Sequence, residues 1–242
     1  MQPDRDIPIA RALASIQRRW GAASVQTAAQ LPGYNAVVPT GFPELDTALH
    51  GGLPRGRIIE IRGQPTSGTR SLALQILREA QRQKLLTAYV DQHHTFDAEH
   101  AAHVGLHLAQ LLLVRPQTPD EARQIIHAVV TTRAIDVIVL DYLPVAQARD
   151  TQRTADALAH LLPALAGAAI TLLVLHPVAL HRAARDGDAL AHSAAVRLLL
   201  EHERWHARHD DVWGYDARVH VLKHPRGGSP APIPITFTVP PV

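Results

Sequence analysis

The chain has 242 residues, 46% of them hydrophobic and 19% charged, which suits one large domain or a core with a small appendage; aromatics make up only 4%, so that core is mostly Ala, Leu, Val and Ile. The absence of cysteine excludes a disulfide framework, zinc ribbons and thiol catalysis together. A net charge of +2 permits nucleic-acid contact without requiring it, and the 16 histidines add positive charge below about pH 6.5, which would make polyanion binding pH-sensitive.

The first residues, "MQPDRDIPIARALASIQRRW", are charged and lack a long apolar run, unlike a secretory signal. Ile9, Leu13, Ile16 and Trp20 recur at helical spacing, with Arg11, Arg18 and Arg19 on the rest of the surface, and predict a short amphipathic helix stopped by Gly21. A small, polar stretch punctuated by Pro and Gly runs on to Pro39. Such a helix is marginal alone and needs a surface to pack on.

From Thr40 a regular alternation begins. "GRIIEIRG" predicts a strand, "SLALQILREAQRQ" a helix and "LLTAYVDQ" a strand ending in Asp91. "DAEHAAHVGL" reads as a helix and turn, "QLLLVRP" as a strand, and "PDEARQIIHAVVTT" as a helix capped by Thr118 before Pro119. "AIDVIVLDYL" is a buried strand ending in Asp141, "TADALAHLLPALAGA" a helix and "ITLLVLHPV" another buried strand. The longest apolar run, Leu161 to Leu175, is too short and too broken to span a bilayer comfortably, and a cytoplasmic location is expected. Near-continuous apolar strands alternating with helices argue for a parallel sheet covered on both faces. After His181 the rhythm changes: "AAVRLLLEH" and "ARVHVLKH" predict paired strands around a polar loop, and "APIPITFTV" a last strand whose prolines suit an edge.

The strand-to-helix junction "GQPTSGTRS", Gly63 to Ser71, has the spacing of a phosphate-binding loop at a helix N-terminus, where free N–H groups favour an anion. A working loop adds a lysine for the β- and γ-phosphates and a hydroxyl for magnesium. Here those positions are Thr69, which carries no charge, and Arg70, which cannot coordinate a metal. Three readings fit these residues: a tight structural turn, a weak phosphate site built from backbone and Arg70, and an altered but working loop.

The stretch "TGFPELDTALHGGLPRGRIIEIRGQPTSGTRS" resembles the RecA recombinase family, and the likeness continues through "TAYVDQHHTFD", "GLHLAQLLLVRPQT", "AIDVIVLDYL", "GDALAHSAAVRLLLEH" and "RVHVLKHPRGGSPAPIPITF". "ARALASIQRRWGAASVQ" looks like that family's N-terminal helix and following strand. The resemblance implies a RecA-type P-loop NTPase fold: an α/β core with a mostly parallel central sheet flanked by helices, carrying an N-terminal helical arm. It divides the chain into an arm over residues 1–35 and a core over residues 36–242, with no separate C-terminal domain expected.

It also implies roles. The family's loop lysine falls on Thr69, its magnesium-binding threonine on Arg70 and its water-activating glutamate on His93. Its asparagine–glutamine γ-phosphate switch falls on His176 and Pro177. Of two lysines that reach a neighbour's nucleotide, Lys223 remains and the other falls on Pro225. Asp141 matches the aspartate that helps to hold magnesium, Asp97 a base-contacting aspartate, and His100 the stacking tyrosine. A reduced nucleotide site is therefore expected at Gly63, Gln64, Pro65, Thr66, Ser67, Gly68, Thr69, Arg70, Ser71, Asp97, His100, Asp141 and Lys223. No required cofactor, no metal and no catalytic residue are expected, with weak ATP or ADP binding as the most that remains.

Arg149, Arg153, Arg182 and Arg185, in two short segments matching the family's DNA-binding loops, are candidate phosphate contacts, against the plainer reading of solvated surface arginines. Ile9, Leu13, Ile16 and Trp20 are the candidate oligomer contact. "HERWHARH" places His202, His206 and His209 at a helical metal-ligand spacing, which loses its meaning in the polar loop expected there. The expectation is a non-catalytic paralogue, an accessory of DNA repair, recombination or SOS mutagenesis. Its expected partners are single- or double-stranded DNA, RecA-like protomers and, by family analogy, a translesion polymerase, with no membrane. The alternative is a DNA-dependent ATPase in which Arg70 replaces the lysine, and a third reading is a structural oligomer or regulator without DNA contact.

Overall fold

The computed structural model describes residues 6–21, 25, 36–141, 148–177, 190–208, 211–227 and 231–239. Helix α1 (Asp6–Trp20) covers the predicted amphipathic stretch and begins three residues before the apolar stripe does. The core then runs β1 (Val37–Val38), α2 (Pro43–Ala48), β2 (Leu53–Pro54), β3 (Ile58–Gly63), α3 (Thr69–Arg82), β4 (Thr87–Asp91), α4 (Ala98–Val104), β5 (Leu111–Val114), α5 (Pro119–Thr132), β6 (Val137–Asp141), α6 (Ala148–His160), α7 (Leu162–Ala168), β7 (Thr171–Pro177), β8 (Ala194–Arg208), β9 (Asp211–Lys223) and β10 (Ile233–Thr238).

Eight strands form one sheet in the order β10-β9-β8-β3-β7-β6-β4-β5. From β8 to β5 neighbouring strands are parallel; β9 and β10 add an antiparallel edge. Every residue of β3, β4 and β6 is buried, as expected for strands with helices on both faces. Alternation sorts their side chains into two cores. Ile59, Ile61, Tyr89, Val139 and Leu173 join the face covered by α2, α3 and α4. Ile58, Val90, Ile138, Leu140 and Val174 join the face covered by α5, α6 and α7.

The expected parallel layer, the flanking helices and the edge position of the last strand are all present. Two expectations are corrected. The helix expected over residues 154–168 is two helices, α6 and α7, which meet at Leu161 because Pro163 cannot continue the earlier ladder and suits the first turn of a new helix. The polar loop expected at "HERWHARH" is strand: β8 and β9 pair from Arg197 with Lys223 out to Arg208 with Asp211, taking up bulges near His202 and His206. Extended geometry separates His202 from His206 differently from a helix turn, and His209 lies outside the described residues. His206 Nε2 instead donates to the Asp216 carboxylate at 2.7 Å. No described helix is long and apolar enough to cross a membrane.

Candidate functional site

The carboxyl ends of β3, β4 and β6 bring together the loop, Asp91 and Asp141, the last two being register partners across adjacent strands. This is where parallel sheets present ligands. The loop leaves β3 at Gly63 and enters α3 through Gly68, which sits in the left-handed region at φ 96°. Both glycines are required by close approach. A Cβ at Gly68 would lie 2.6 Å from the ring of Phe237 and 3.0 Å from the Tyr215 hydroxyl, and a Cβ at Gly63 would lie 2.1 Å from Ser67 Oγ. Gln64, Pro65 and Thr66 are exposed at the crest, while Ser67 is wholly buried inside the turn. Its hydroxyl finds no protein partner.

Arg70 dominates the electrostatics. Its Nε–H donates to Asp141 Oδ2 at 2.6 Å, and the same oxygen receives the Tyr89 hydroxyl at 2.8 Å and the Thr95 hydroxyl at 3.2 Å. Burial works against the guanidinium charge, but the hydrogen bond and field of Asp141 outweigh it and hold Arg70 above its ordinary value. Burial, then Asp141, pushes the Tyr89 phenol up as well. The Asp141 carboxyl is nearly sealed from solvent, whereas the Arg70 side chain is 42% exposed. The Nε edge of the guanidinium is thus committed to Asp141 on a side chain that still meets solvent. A dication about 4 Å from that guanidinium would be repelled by roughly 8 kcal/mol at an effective dielectric of about 20.

Asp91 is satisfied separately, accepting from the backbone N–H of Thr95 at 2.8 Å, the N–H of Phe96 at 3.1 Å and Arg115 Nε at 3.3 Å. In the turn that follows, His93 Nε2 and Gln92 Oε1 are buried without partners.

His100 and Asp97 come to the same place by another route. Asp97 caps α4, accepting from the His100 N–H at 3.0 Å. The His100 ring lies on Ser71, with Nε2 3.1 Å from Oγ, and Ser71 Oγ also accepts from the Tyr215 hydroxyl at 2.9 Å. Burial lowers the His100 imidazole, against the partial opposition of Asp97, so the neutral ring is favoured as acceptor for Ser71. This chain ties α3, α4 and β9 together beside the loop. Lys223 does not join it: its Nζ donates to the carbonyls of Ala191 at 2.7 Å and His192 at 3.4 Å, within its own fold.

Among the DNA candidates, Arg153 is exposed on α6, Arg182 and Arg185 lie outside the described residues, and so does the side chain of Arg149. On α1, Ile9 and Trp20 are 56% and 63% exposed, with Leu13 and Ile16 half-buried.

A second polar cluster escaped the sequence reading. Glu60, in the middle of β3, is fully buried and accepts from Arg197 Nε at 2.6 Å and from His176 Nδ1 at 3.1 Å, with Arg62 4.0 Å away. Burial alone would raise the Glu60 carboxyl, but the hydrogen bonds from His176 and Arg197 hold it below the usual carboxylate range. The signal was present: a lone acid in the otherwise apolar "IIEI" has to find a partner.

The profile of the RecA N-terminal domain matches residues 8–153. The chain is 39% identical over 142 residues to the protein RecA of Chloroflexus aggregans and 41% identical over 141 residues to that of Salinispora tropica, each match covering 57% of this chain and 40% of the relative. The chain therefore spans about two fifths of the length of these two relatives. A longer match, to the protein RecA of Herpetosiphon aurantiacus, is 30% identical over 247 residues and covers 93% of this chain and 69% of the relative.

Proposed function

The chain belongs to the RecA family, and from that premise we propose that it is a recombination or repair protein that keeps the nucleotide-binding scaffold without turning ATP over, working as an accessory that engages DNA or a RecA-type filament. The observation that carries this reading is Arg70 on Asp141. The position expected to hold a metal-binding hydroxyl holds a cation, and the position expected to hold the loop lysine is Thr69. A base is missing too: the position of the water-activating carboxylate is His93, whose buried Nε2 has no partner, and an imidazole is a poor substitute for a carboxylate working beside a phosphate.

ATP turnover measured with and without single-stranded DNA tests this. No hydrolysis above the buffer rate is expected, and DNA-stimulated turnover would sink the reading. The half-exposed fork of Arg70 is what favours the alternative, a DNA-dependent ATPase with an arginine in the lysine's role; on that reading Arg70→Ala abolishes turnover that the native chain shows.

Self-association is supported by two features. The stripe on α1 leaves Ile9 and Trp20 uncovered, and β5, at the end of the sheet, exposes Leu112 and Leu113 along an open edge. Such an edge accepts another strand or an apolar face. Removing residues 1–20 should reduce the mass seen by light scattering to that of a single chain; an unchanged mass would remove α1 from the contact. DNA engagement through arginine–phosphate contacts predicts affinity that falls steeply with salt, and no binding at low salt would exclude it.

A further inference from the structure

We infer that the divalent cation of this fold has been replaced by one carried on the chain: Arg70 serves as the counter-charge of Asp141, and the loop takes a phosphate-type anion without metal. The inference deepens the proposed function and rests on the same site, but it can fail separately.

The fit to a metal is poor on three counts. A magnesium ion takes oxygen ligands in near-octahedral geometry, either directly or through its waters. Asp141, the acid expected to hold such waters, already receives Arg70 Nε, the Tyr89 hydroxyl and the Thr95 hydroxyl on Oδ2. Second, the position expected to supply the metal-binding hydroxyl is Arg70 itself, and the next hydroxyl along the first turn of α3, Ser71, is engaged by Tyr215 and His100. Third, Asp91, the register partner of Asp141, is already engaged by two backbone N–H groups and Arg115.

The fit to an anion survives. The strand-to-helix loop retains both glycines, and α3 is 14 residues long with free N–H groups at its start. The Ser67 hydroxyl is fully buried within the turn and has no protein partner. Arg70 reaches Asp141 through Nε, and among the described residues no hydrogen bond to the protein occupies its terminal amino groups, on a side chain that is 42% exposed. A guanidinium can hold a carboxylate on one edge and present a two-pronged donor to a phosphate on the other. The ligand class is therefore a phosphate or polyphosphate oxyanion, held by backbone N–H groups and Arg70.

The test is calorimetric titration of the full chain with inorganic pyrophosphate and with ADP, in magnesium and in EDTA, together with Mn²⁺ binding followed by electron paramagnetic resonance. Pyrophosphate should bind in EDTA as well as it does in magnesium, within about threefold, and added protein should immobilise no Mn²⁺ beyond what the free anion holds. Arg70→Ala should weaken pyrophosphate about tenfold or more, with a melting curve to confirm that the variant is folded. Arg70→Lys keeps the charge but loses the fork and should lie between. The double variant Thr69→Lys, Arg70→Thr should gain a Mn²⁺ signal in the presence of ADP. Binding that requires magnesium overturns the inference, as does the absence of any anion binding in both buffers; either result would leave the lack of ATP turnover standing. Turnover by the native chain would instead overturn the proposed function.

Discussion

Strand β3 carries a buried carboxylate network on one face and ends in the glycine loop, and the two regions solve the same problem differently. At Glu60, every partner is supplied from inside: Arg197 and His176 side chains are each only 11% exposed, and the acid is sealed. At Asp141 the acid is almost as buried, but its cation is nearly half exposed. Both sites place arginine against a carboxylate at 2.6 Å. The difference in exposure separates a sealed ion pair from one open to solvent. A sealed pair has no free valence to offer, whereas a half-open one neutralises its carboxylate and still meets solvent ions.

The sharpest way to break that comparison is to remove the cation on each side. Arg197→Ala strands a buried acid and should cost about 3–5 kcal/mol of stability, measured by urea unfolding. A loss near zero would mean that water or Arg62 takes over, and the cluster would no longer count as sealed. Arg70→Ala leaves Asp141 with the Tyr89 and Thr95 hydroxyls and with solvent access, so about 1–2 kcal/mol is expected, between the ranges of surface and buried pairs. Equal losses at the two positions would erase the distinction between the sealed and the half-open pair.

The parallel layer was legible because burial on both faces leaves near-continuous apolar runs, such as "VIVL" before Asp141, that only a covered strand accommodates. Thr118 was legible as a cap from its place before Pro119, and its hydroxyl does accept from the Glu121 N–H at 3.1 Å. The loop was legible from its glycines. The pairing of Arg70 with Asp141 was not, because 71 residues separate them and only sheet order brings them together. Reading position 70 as a lost metal ligand said what the residue cannot do; the carboxylate across the sheet says what it does instead. Length defeated the reading of the hairpin: "HERWHARH" is polar because β8 and β9 run out past the core, where a strand has no apolar face to declare itself. Trp205 and Trp213, 48% and 47% exposed on that extension, were hidden for the same reason.

The smallest expected effect discriminates most finely. His176 faces Glu60 across the strand pair, with Arg197 and Arg62 as the other charged groups packed against the acid. If its contribution is a hydrogen bond rather than a charge, an amide donor should serve nearly as well. His176→Asn is then expected to change stability by no more than about 1 kcal/mol near neutral pH, the net scale of a single hydrogen bond. The acid limb supplies the second half of the comparison. The Glu60 carboxyl is lowered from an ordinary 4.5, so its stabilisation is complete above about pH 4.5 and is lost as pH falls through the lower folded-state value. With Asn at 176 and Arg197 intact, urea midpoints between pH 3 and pH 8 should run parallel to those of the native chain. Divergence of the two curves would show instead that a charge on His176 is part of what holds the buried acid. The site would then be a charge network in which Arg197 is only the larger member.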